Sequence, residues 1–401
     1  MPSSTEVPTT SQVRIGVTAC LACVLLVACG GADASADPAD GDPLGRIVSP
    51  GGVAGVDEAE LPGALAITPT TIPVTTYEGS GELVHPDVAF FTRGLWGTRY
   101  WFAATPYPHG DAEFENPSIY NGATSAEMLV PRGLTNPLAR PLLGAYLSDP
   151  DISFDPDHQE LRMYYRQTLP TVDQIHLVKS TNGVTWSSSQ LVLEAPRYSL
   201  ISPAIVREAT SQWRMWTVDA ATGGCRSAAS MLALTQRRST NGLNWGPAER
   251  VELSIPHRVP WHWDVQYIRA KGEYWAMIAA YPDGTNCAHT ALYFARSVDG
   301  TRWDVSPSPL LQAGEFYPIR DLVYRSTFRY HEGSDAVSVW FSGARLENNV
   351  FKYGVALARY PMDELLRRVS STTEATLDRG AARRPSPELR AARAAFVTDF
   401  P

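Results

Sequence analysis

Short runs of alternating hydrophobic and polar residues fill the middle of the chain, and clusters of Gly, Asn, Asp and Pro separate them. β-Branched and aromatic side chains dominate these runs, which predicts β-strands. The runs come in pairs, as at 151–154 with 161–166 and at 204–206 with 213–218. No stretch in this region carries a long helical period. The pattern therefore predicts an all-β domain built from many short strands.

A turn motif of the form Ser-x-Asn/Asp-Gly-x-x-Trp follows the strand pairs. It occurs at 180–186, 239–245 and 297–303, so that successive copies begin 59 and 58 residues apart, and 119–125 contains a decayed copy. The Asn-Gly or Asp-Gly step supplies the positive φ that a tight turn requires. A constant period of this length indicates one supersecondary unit used repeatedly.

Five such units, each of about 60 residues with three or four strands, predict a five-bladed β-propeller. We assign this domain to residues 63–362. A two-sheet sandwich is the alternative fold, but it gives no constant period. Closing the ring removes the exposed strand edges that an open array would leave.

The N-terminal residues 1–29 predict a bacterial lipoprotein signal peptide. Arg14 precedes an apolar run over 15–28, which is too short to span a bilayer but long enough for a signal peptide. The run ends on Leu26-Val-Ala-Cys29, which resembles the lipobox, whose cysteine is lipidated. An ordinary secretory signal cleaved near Ala28 is the alternative. We expect a protein of the bacterial cell envelope, facing the periplasm or the exterior and touching the membrane only through lipidated Cys29.

The segments on either side of the domain are poor in core-forming residues. Residues 30–62 are small, acidic and rich in Pro and Gly, which predicts a flexible linker. Residues 363–401 carry arginine clusters with little apolar periodicity, which predicts a tail that is helical or disordered.

Charge and cysteine content narrow the classes of partner. The formal net charge of −8 offers no basic stripe for nucleic acid, whereas 17 Tyr and 11 Trp suit strands and sugar-binding surfaces.

Cys225 and Cys287 are 62 residues apart, close to the repeat period. They therefore occupy equivalent loops of neighbouring blades, and in an oxidising compartment we expect a disulfide between them. We expect a monomer.

Polar residues begin the innermost strand of each predicted blade, where the strand enters the central channel. Because residues two apart share a face of a strand, His85 with Asp87, Asp149 with Asp151, and His262 with Asp264 are expected to project together. Converging polar groups at the mouth of a closed scaffold are typical of small-molecule sites. A water-filled channel without chemistry is the alternative.

These blade starts resemble a known group of enzymes. The His85-Pro-Asp87-Val step, the segments 100–108 and 115–119, and the turn motifs are similar to the five-bladed propellers of the glycoside hydrolase clan with the family 43 arabinanases and xylosidases and, more distantly, the family 32 invertases. The resemblance covers about residues 80–360 and suggests a divergent secreted member. It implies an Asp base in the first blade, a pKa-tuning Asp in the second and a Glu acid in the third. This chain has His85, Asp149 and Ser202 there, so only the second position matches.

Other carboxylates are available for acid–base chemistry. Glycoside hydrolysis needs a carboxylic acid and a carboxylate about 5–9.5 Å apart, and our candidates are Glu115, Asp149, Asp264 and Asp87. Each also has a structural alternative, as a surface residue, a turn cap or a tie between blades. The candidate substrate-binding residues are His85, Ser202, His262, Trp263, Tyr324 and Arg325.

We expect no cofactor, although a divalent cation in the channel, shared by His85, His262 and Asp149, stays an open alternative. The sequence favours an exported glycoside hydrolase-like enzyme that acts on an extracellular polysaccharide or oligosaccharide. A non-catalytic glycan-binding propeller is one alternative. A polysaccharide lyase is the other, with His85, His262 or Tyr324 removing a proton beside a uronate that Arg325 neutralises.

Overall fold

The computed structural model of the protein describes residues 69–316, 319–370 and 386–395. The predicted signal peptide at 1–29, lipidated Cys29 and the linker at 30–62 lie outside the described residues. Within the described ranges, no helix is both long and apolar enough to cross a membrane.

The strands of the described residues form five antiparallel sheets. Numbered along the chain, they are β1 (Thr70–Ile72), β2 (Leu83–Leu95), β3 (Thr98–Pro106), β4 (Ser118–Gly122), β5 (Tyr146–Asp155), β6 (Glu160–Thr168), β7 (Val172–Ser180), β8 (Gln190–Pro196), β9 (Ile201–Ala209), β10 (Gln212–Asp219), β11 (Ala233–Ser239), β12 (Glu249–Arg250), β13 (Arg258–Ile268), β14 (Glu273–Pro282), β15 (Ala291–Ser297), β16 (Asp304–Val305), β17 (Leu322–His331), β18 (Ala336–Glu347) and β19 (Val350–Pro361).

Each sheet is one blade of a five-bladed propeller. The first four blades are β2–β4, β5–β8, β9–β12 and β13–β16, and the fifth contains β17–β19. Strand β1 pairs with β19 and completes the fifth blade from the N-terminal side, with Thr71 opposite Ala356. The innermost strands β2, β5, β9, β13 and β17 contact one another around the ring. The predicted all-β propeller is confirmed.

The repeated turns hold neighbouring blades together. In the second blade, Ser180 Oγ accepts a hydrogen bond from Gly183 N at 2.8 Å. Gly183 has φ +74°, and a Cβ atom there would lie 2.1 Å from the Trp101 ring of the first blade. The same position in the fourth blade, Gly300, accepts a hydrogen bond from Trp216 Nε1 of the third blade at 2.8 Å. The motif repeats because each copy packs on the blade before it, and only glycine leaves room for that contact.

Within the described residues after the propeller, 362–370 and 386–395, there are two short helices in or next to the predicted tail. Helix α1 (Met362–Ser370) buries Met362, Leu365 and Val369 against the outer core of the last two blades. Helix α2 (Pro387–Ala395) rests on the loops of blades four and five, where Arg393 donates to the carbonyl of Asp321.

The structure contains the disulfide that the repeat spacing predicts. Cys225 and Cys287 are bonded with their Cα atoms 5.2 Å apart, and both follow the second strand of their blades. Replacing both by serine is expected to lower the free energy of unfolding by about 3–4 kcal/mol, because the unfolded chain loses a cross-link that closes a 62-residue loop. Urea denaturation of oxidised wild type and the double variant measures this. Equal midpoints would show that the bond contributes nothing to stability.

Candidate active site

The innermost strands of the first three blades begin with the same backbone irregularity. His85, Asp149 and Ser202 have φ of 53°, 51° and 53°, and a proline follows each. At each of these positions the pairing with the second strand skips residues, which is the signature of a β-bulge. Left-handed backbone is uncommon for residues other than glycine and concentrates at functional sites. The bulges turn these three side chains away from the directions that a regular strand would give them.

Asp149 lies at the centre of a buried cluster of charged and imidazole side chains. Its Oδ1 lies 3.6 Å from His85 Nε2, 3.4 Å from His262 Nδ1 and 3.5 Å from Arg325 Nη1. Its Oδ2 lies 3.1 Å from Arg166 Nε. None of the five side chains is more than 4% exposed. We call this group of five residues the Asp149 cluster.

Glu115 borders the cluster on the side of the first blade. Its Oε1 lies 3.5 Å from His85 Nδ1, and the side chain is 2% exposed. A 3₁₀ turn, Ala112–Phe114, ends at Glu115 and directs it inward. Tyr324 covers the opposite side, with its ring centroid 5.3 Å from His85 and 4.7 Å from His262. The predicted residues Glu115, Asp149, His85, His262, Tyr324 and Arg325 are therefore brought together.

The site contains two carboxyl groups whose pKa values move in opposite directions. Burial raises the pKa of Glu115 well above its ordinary value, and the charge of Asp149 raises it further. Burial also acts to raise the pKa of Asp149, but Arg166 and His85 outweigh it and hold that pKa well below the usual range. Burial lowers the pKa of both His85 and His262. Burial therefore favours the protonated form of Glu115, whereas Arg166 and His85 favour the ionised form of Asp149, which separates a proton donor from a fixed negative charge.

Several polar atoms of the Asp149 cluster face one another at distances too long for ordinary hydrogen bonds. Separations of 3.4–3.6 Å are longer than ordinary hydrogen bonds. Among the described residues, His85 Nε2, Asp149 Oδ1 and His262 Nδ1 are buried without a hydrogen-bond partner. Buried polar atoms in folded proteins are nearly always satisfied. The gap between them is thus suited to a water, a substrate atom or an ion.

The same three residues have the geometry of a divalent-metal site. One ligand atom from each of His85, Asp149 and His262 lies within 4.8 Å of the others. Ligands about 2.1 Å from a tetrahedral ion are about 3.4 Å apart, close to the separations of 3.4 and 3.6 Å found here. Two imidazoles and one carboxylate are a donor set that zinc and similar ions accept.

A second layer of carboxylates lies further along the channel and holds blades together. Asp87 Oδ2 accepts from Ile152 N of the second blade at 2.6 Å, and Asp151 Oδ2 accepts from Ile205 N of the third at 2.9 Å. The hydroxyl of Thr327 lies 3.0 Å from Asp87 Oδ1 and 2.9 Å from Asp264 Oδ2. Asp87 and Asp264, which the sequence offers as catalytic candidates, are thus engaged as ties between blades.

Crowding of these carboxylates makes stability pH-dependent. Burial, and then repulsion by Asp87, raise the pKa of Asp264 from an ordinary 3.8 to about 7. The folded protein therefore keeps a proton that the unfolded chain loses, and stability falls as pH rises between these values. Wild type is expected to lose on the order of 2–4 kcal/mol of its free energy of unfolding over this rise in pH, and Asp264→Asn is expected to remove that loss. Urea unfolding at pH about 5 and about 8 tests this sign, with Asp304→Asn on exposed strand β16 as control. If the free energy of unfolding of Asp264→Asn changed with pH as much as that of wild type, the prediction would be wrong.

Two predicted substrate-binding residues have structural contacts instead. Ser202 Oγ accepts from Trp263 N at 3.2 Å and donates to Trp263 O at 3.0 Å, which joins the third and fourth blades. The Trp263 ring is 1% exposed and packs 6.0 Å from Trp303 in the core. At the position where family 43 enzymes would carry their third-blade acid, this chain therefore has a serine that joins two neighbouring blades.

Arg166 is a site residue that sequence reasoning missed. It lies on the second strand of the second blade, pairs with Asp149 and lies 5.8 Å from the Tyr146 ring centroid. A charged residue in the run Met163-Tyr-Tyr-Arg166 was the available signal. The strand pattern does not show which end of β6 meets the channel mouth.

Known proteins resemble this chain in sequence and in fold. No protein-family model matches the sequence. An A type blood N-acetyl-α-D-galactosamine deacetylase from Flavonifractor plautii is 26% identical over 319 residues, which is 67% of this chain. The chain spans 41% of the length of that curated relative.

Solved structures give the same architecture. An N-acetylgalactosamine deacetylase from F. plautii, in complex with blood group B trisaccharide, matches with a TM-score of 0.69 at 22% identity, covering 76% of this chain and 98% of that one. A mutant α-L-arabinofuranosidase from Fusarium graminearum, bound to an iminosugar inhibitor, matches at 0.50 and 11% identity, covering 73% and 97%. The chain therefore has the five-bladed propeller fold of these proteins, and the expected resemblance to the propeller glycoside hydrolases is confirmed at the level of the fold.

Proposed function

We propose that this protein is a carbohydrate-active hydrolase that removes the acetyl group from an N-acetylated sugar unit of a glycan. The observation that carries the proposal is the pairing of a buried carboxyl beside His85, Glu115, with a cluster in which the other carboxylate is already engaged. Asp149 contacts Arg166 and Arg325 as well as two histidines. It is a fixed charge rather than a free nucleophile.

Amide hydrolysis fits this arrangement because it needs one proton donor for the leaving nitrogen. Neutral His85 accepts a proton from a water held between its Nε2 and Asp149 Oδ1, and the water oxygen bonds to the acetyl carbonyl carbon. Arg325 is a cation suited to the oxygen that becomes negative. Glu115 then gives its proton to the nitrogen as the C–N bond breaks, which leaves acetate and an amino sugar.

We also propose a divalent ion on His85, Asp149 and His262, because the three ligand atoms are suitably spaced and lack hydrogen-bond partners within the described residues. Such an ion would supply a Lewis acid and a more acidic water. With the ion bound, His85 would be a ligand rather than the proton acceptor, Asp149 would hold charge, and Glu115 would hold and transfer the proton.

The relatives support this choice of reaction. The curated relative is a deacetylase of an N-acetylated galactosamine, and the solved deacetylase shares the fold at a TM-score of 0.69. We take the substrate to be extracellular because the N-terminus predicts an exported lipoprotein held by Cys29.

Glycoside hydrolysis is the second candidate. Glu115 and Asp149 flank His85 from opposite sides, and their pKa values are pushed apart as an acid and a carboxylate require. Two observations argue against glycoside hydrolysis. Asp149 is ion-paired with arginine, and the carboxylates of Asp87 and Asp264 form hydrogen bonds that join neighbouring blades.

One assay separates these functions. Purified protein is incubated with N-acetylated oligosaccharides and a polysaccharide panel, with chelator or with added divalent ions, and acetate, primary amine, reducing ends and unsaturated products are measured. Equal amounts of acetate and amine are expected. Reducing ends without acetate would establish the glycosidase, unsaturated products the lyase, and glycan binding without product the non-catalytic alternative. Activity unaffected by chelator and by added ions would remove the metal.

A further inference from the structure

A cavity of about 690 Å³ opens beside the buried acid–base residues. Its walls are the first-blade loop at 109–113, residues 144–146 where the chain enters β5, residues 168–170 between β6 and β7, and Arg197. Cavities of 300–1,000 Å³ are typical of small-molecule sites. The function proposed above assigns no role to this cavity.

The cavity shares its walls with the site. Tyr146 lines it, precedes Asp149 on β5, and lies 5.8 Å from the Arg166 guanidinium that bonds Asp149. On the other wall, Ala112 and Glu113 belong to the 3₁₀ turn that ends at Glu115. A ligand unit in the cavity would therefore be a direct neighbour of a unit placed at Glu115.

The lining combines apolar surface with a polar rim. Ala112, Ala145, Leu169 and Pro170 supply apolar surface beside the Tyr146 ring. Polar side chains of the lining that can bind hydroxyls are those of His109, Asp111, Glu113 and Arg197, whereas the hydroxyl of Thr168 already donates to Asp173. A sugar ring presents an apolar C–H face and a polar edge, and this lining matches both.

The charges of the rim decide between classes of sugar. Two carboxylates, on Asp111 and Glu113, outnumber the one guanidinium, on Arg197, and the imidazole of His109, which also lines the cavity, lies 3.0 Å from its own carboxylate partner, Glu82. A uronate or sulfated sugar would bring a negative charge into a rim that is already negative on balance. A neutral sugar meets no such repulsion.

We propose that this cavity binds the neutral sugar unit adjoining the N-acetylated unit, so that the protein selects an oligosaccharide over a single sugar. The proposal rests on the proposed function for the identity of the first unit. Tyr146 is the positioning residue that connects the two sites, because it lines the cavity and its ring centroid lies 5.8 Å from the Arg166 guanidinium.

Binding measured by calorimetry tests the cavity without requiring a reaction. The probes are N-acetylgalactosamine and a neutral trisaccharide that carries it at its non-reducing end. Wild type is expected to bind the trisaccharide at least about 10-fold more tightly, the gain of about 1.4 kcal/mol that a second sugar contact would give. Leu169→Trp, which fills the cavity from a surface turn, is expected to reduce that advantage to less than about 2-fold without changing affinity for the single sugar.

Leu143→Trp is the matched control, because Leu143 is fully exposed and does not line the cavity. It should keep the full preference for the trisaccharide. Equal affinity of wild type for both probes, a preference that survives Leu169→Trp, or tighter binding of a glucuronate-bearing analogue would each overturn the proposal. Failure of the proposed reaction is recognised separately, because acetate release is measured independently of binding.

Discussion

Glu115→Gln lowers the rate of hydrolysis by at least about 100-fold while the fold survives. Glutamine keeps the shape of the side chain but has no proton to give to a leaving group. Glu115 is 2% exposed and lies 3.5 Å from His85, so that bulk water does not readily replace it. Turnover of an N-acetylated oligosaccharide, with circular dichroism as the check on folding, measures the effect.

The pH profile distinguishes loss of a proton donor from loss of shape. Because burial raises the pKa of Glu115, the wild-type rate should fall as pH rises through that raised value, where the acid form disappears. The residual rate of Glu115→Gln should not change across the same window. Glu332→Gln, an exposed change in the turn after β17, should behave as wild type. Near-normal activity in Glu115→Gln would place the working acid elsewhere.

Asp149→Asn abolishes activity and lowers the free energy of unfolding by about 3–5 kcal/mol. The substitution leaves the buried guanidiniums of Arg166 and Arg325 without their shared carboxylate. It also removes the one negative charge between His85 and His262. Urea unfolding at neutral pH measures the loss. Because the pKa of Asp149 is held low in the folded state, its contribution is present at neutral pH and disappears as pH falls through that low value.

A double-mutant cycle with Arg166→Gln gives the control. Removing both partners leaves less uncompensated charge than removing one, so the double variant should lose less stability than the two single losses predict together. Additive losses would show that the two residues act independently. Wild-type stability in Asp149→Asn would contradict the central place of this carboxylate.

The repeat pattern was sufficient to predict the architecture. The turn motif predicts a ring because its glycine must face the preceding blade, as Gly183 faces Trp101 and Gly300 faces Trp216. These contacts recur with the repeat of about 60 residues, so the turn motif that produces them appears several times in the sequence. The closing contribution of β1 to the fifth blade has no such repeat, since three residues at the N-terminal side carry little pattern of their own.

The positions of the site residues could be predicted where they recur at the start of each blade. His85, Asp149 and Ser202 stand before the blade-start prolines, and all three adopt the bulge. Their different roles were not predictable: His85 and Asp149 face the channel mouth, whereas Ser202 bonds the backbone of Trp263. Arg166 was missed because strand alternation says which face a residue occupies but not which neighbouring blade it meets.

By itself, the sequence determined a five-bladed all-β ring with polar residues at each blade start, because period and turn chemistry are local properties of the chain. Only the tertiary structure decided that Asp149 is held between two arginines, that burial raises the pKa of Glu115, and that Asp87 and Asp264 tie blades together. The physical reason is that charge and pKa depend on burial and on neighbours far apart in the chain, such as Asp149 and Arg325, which only ring closure brings within 3.5 Å.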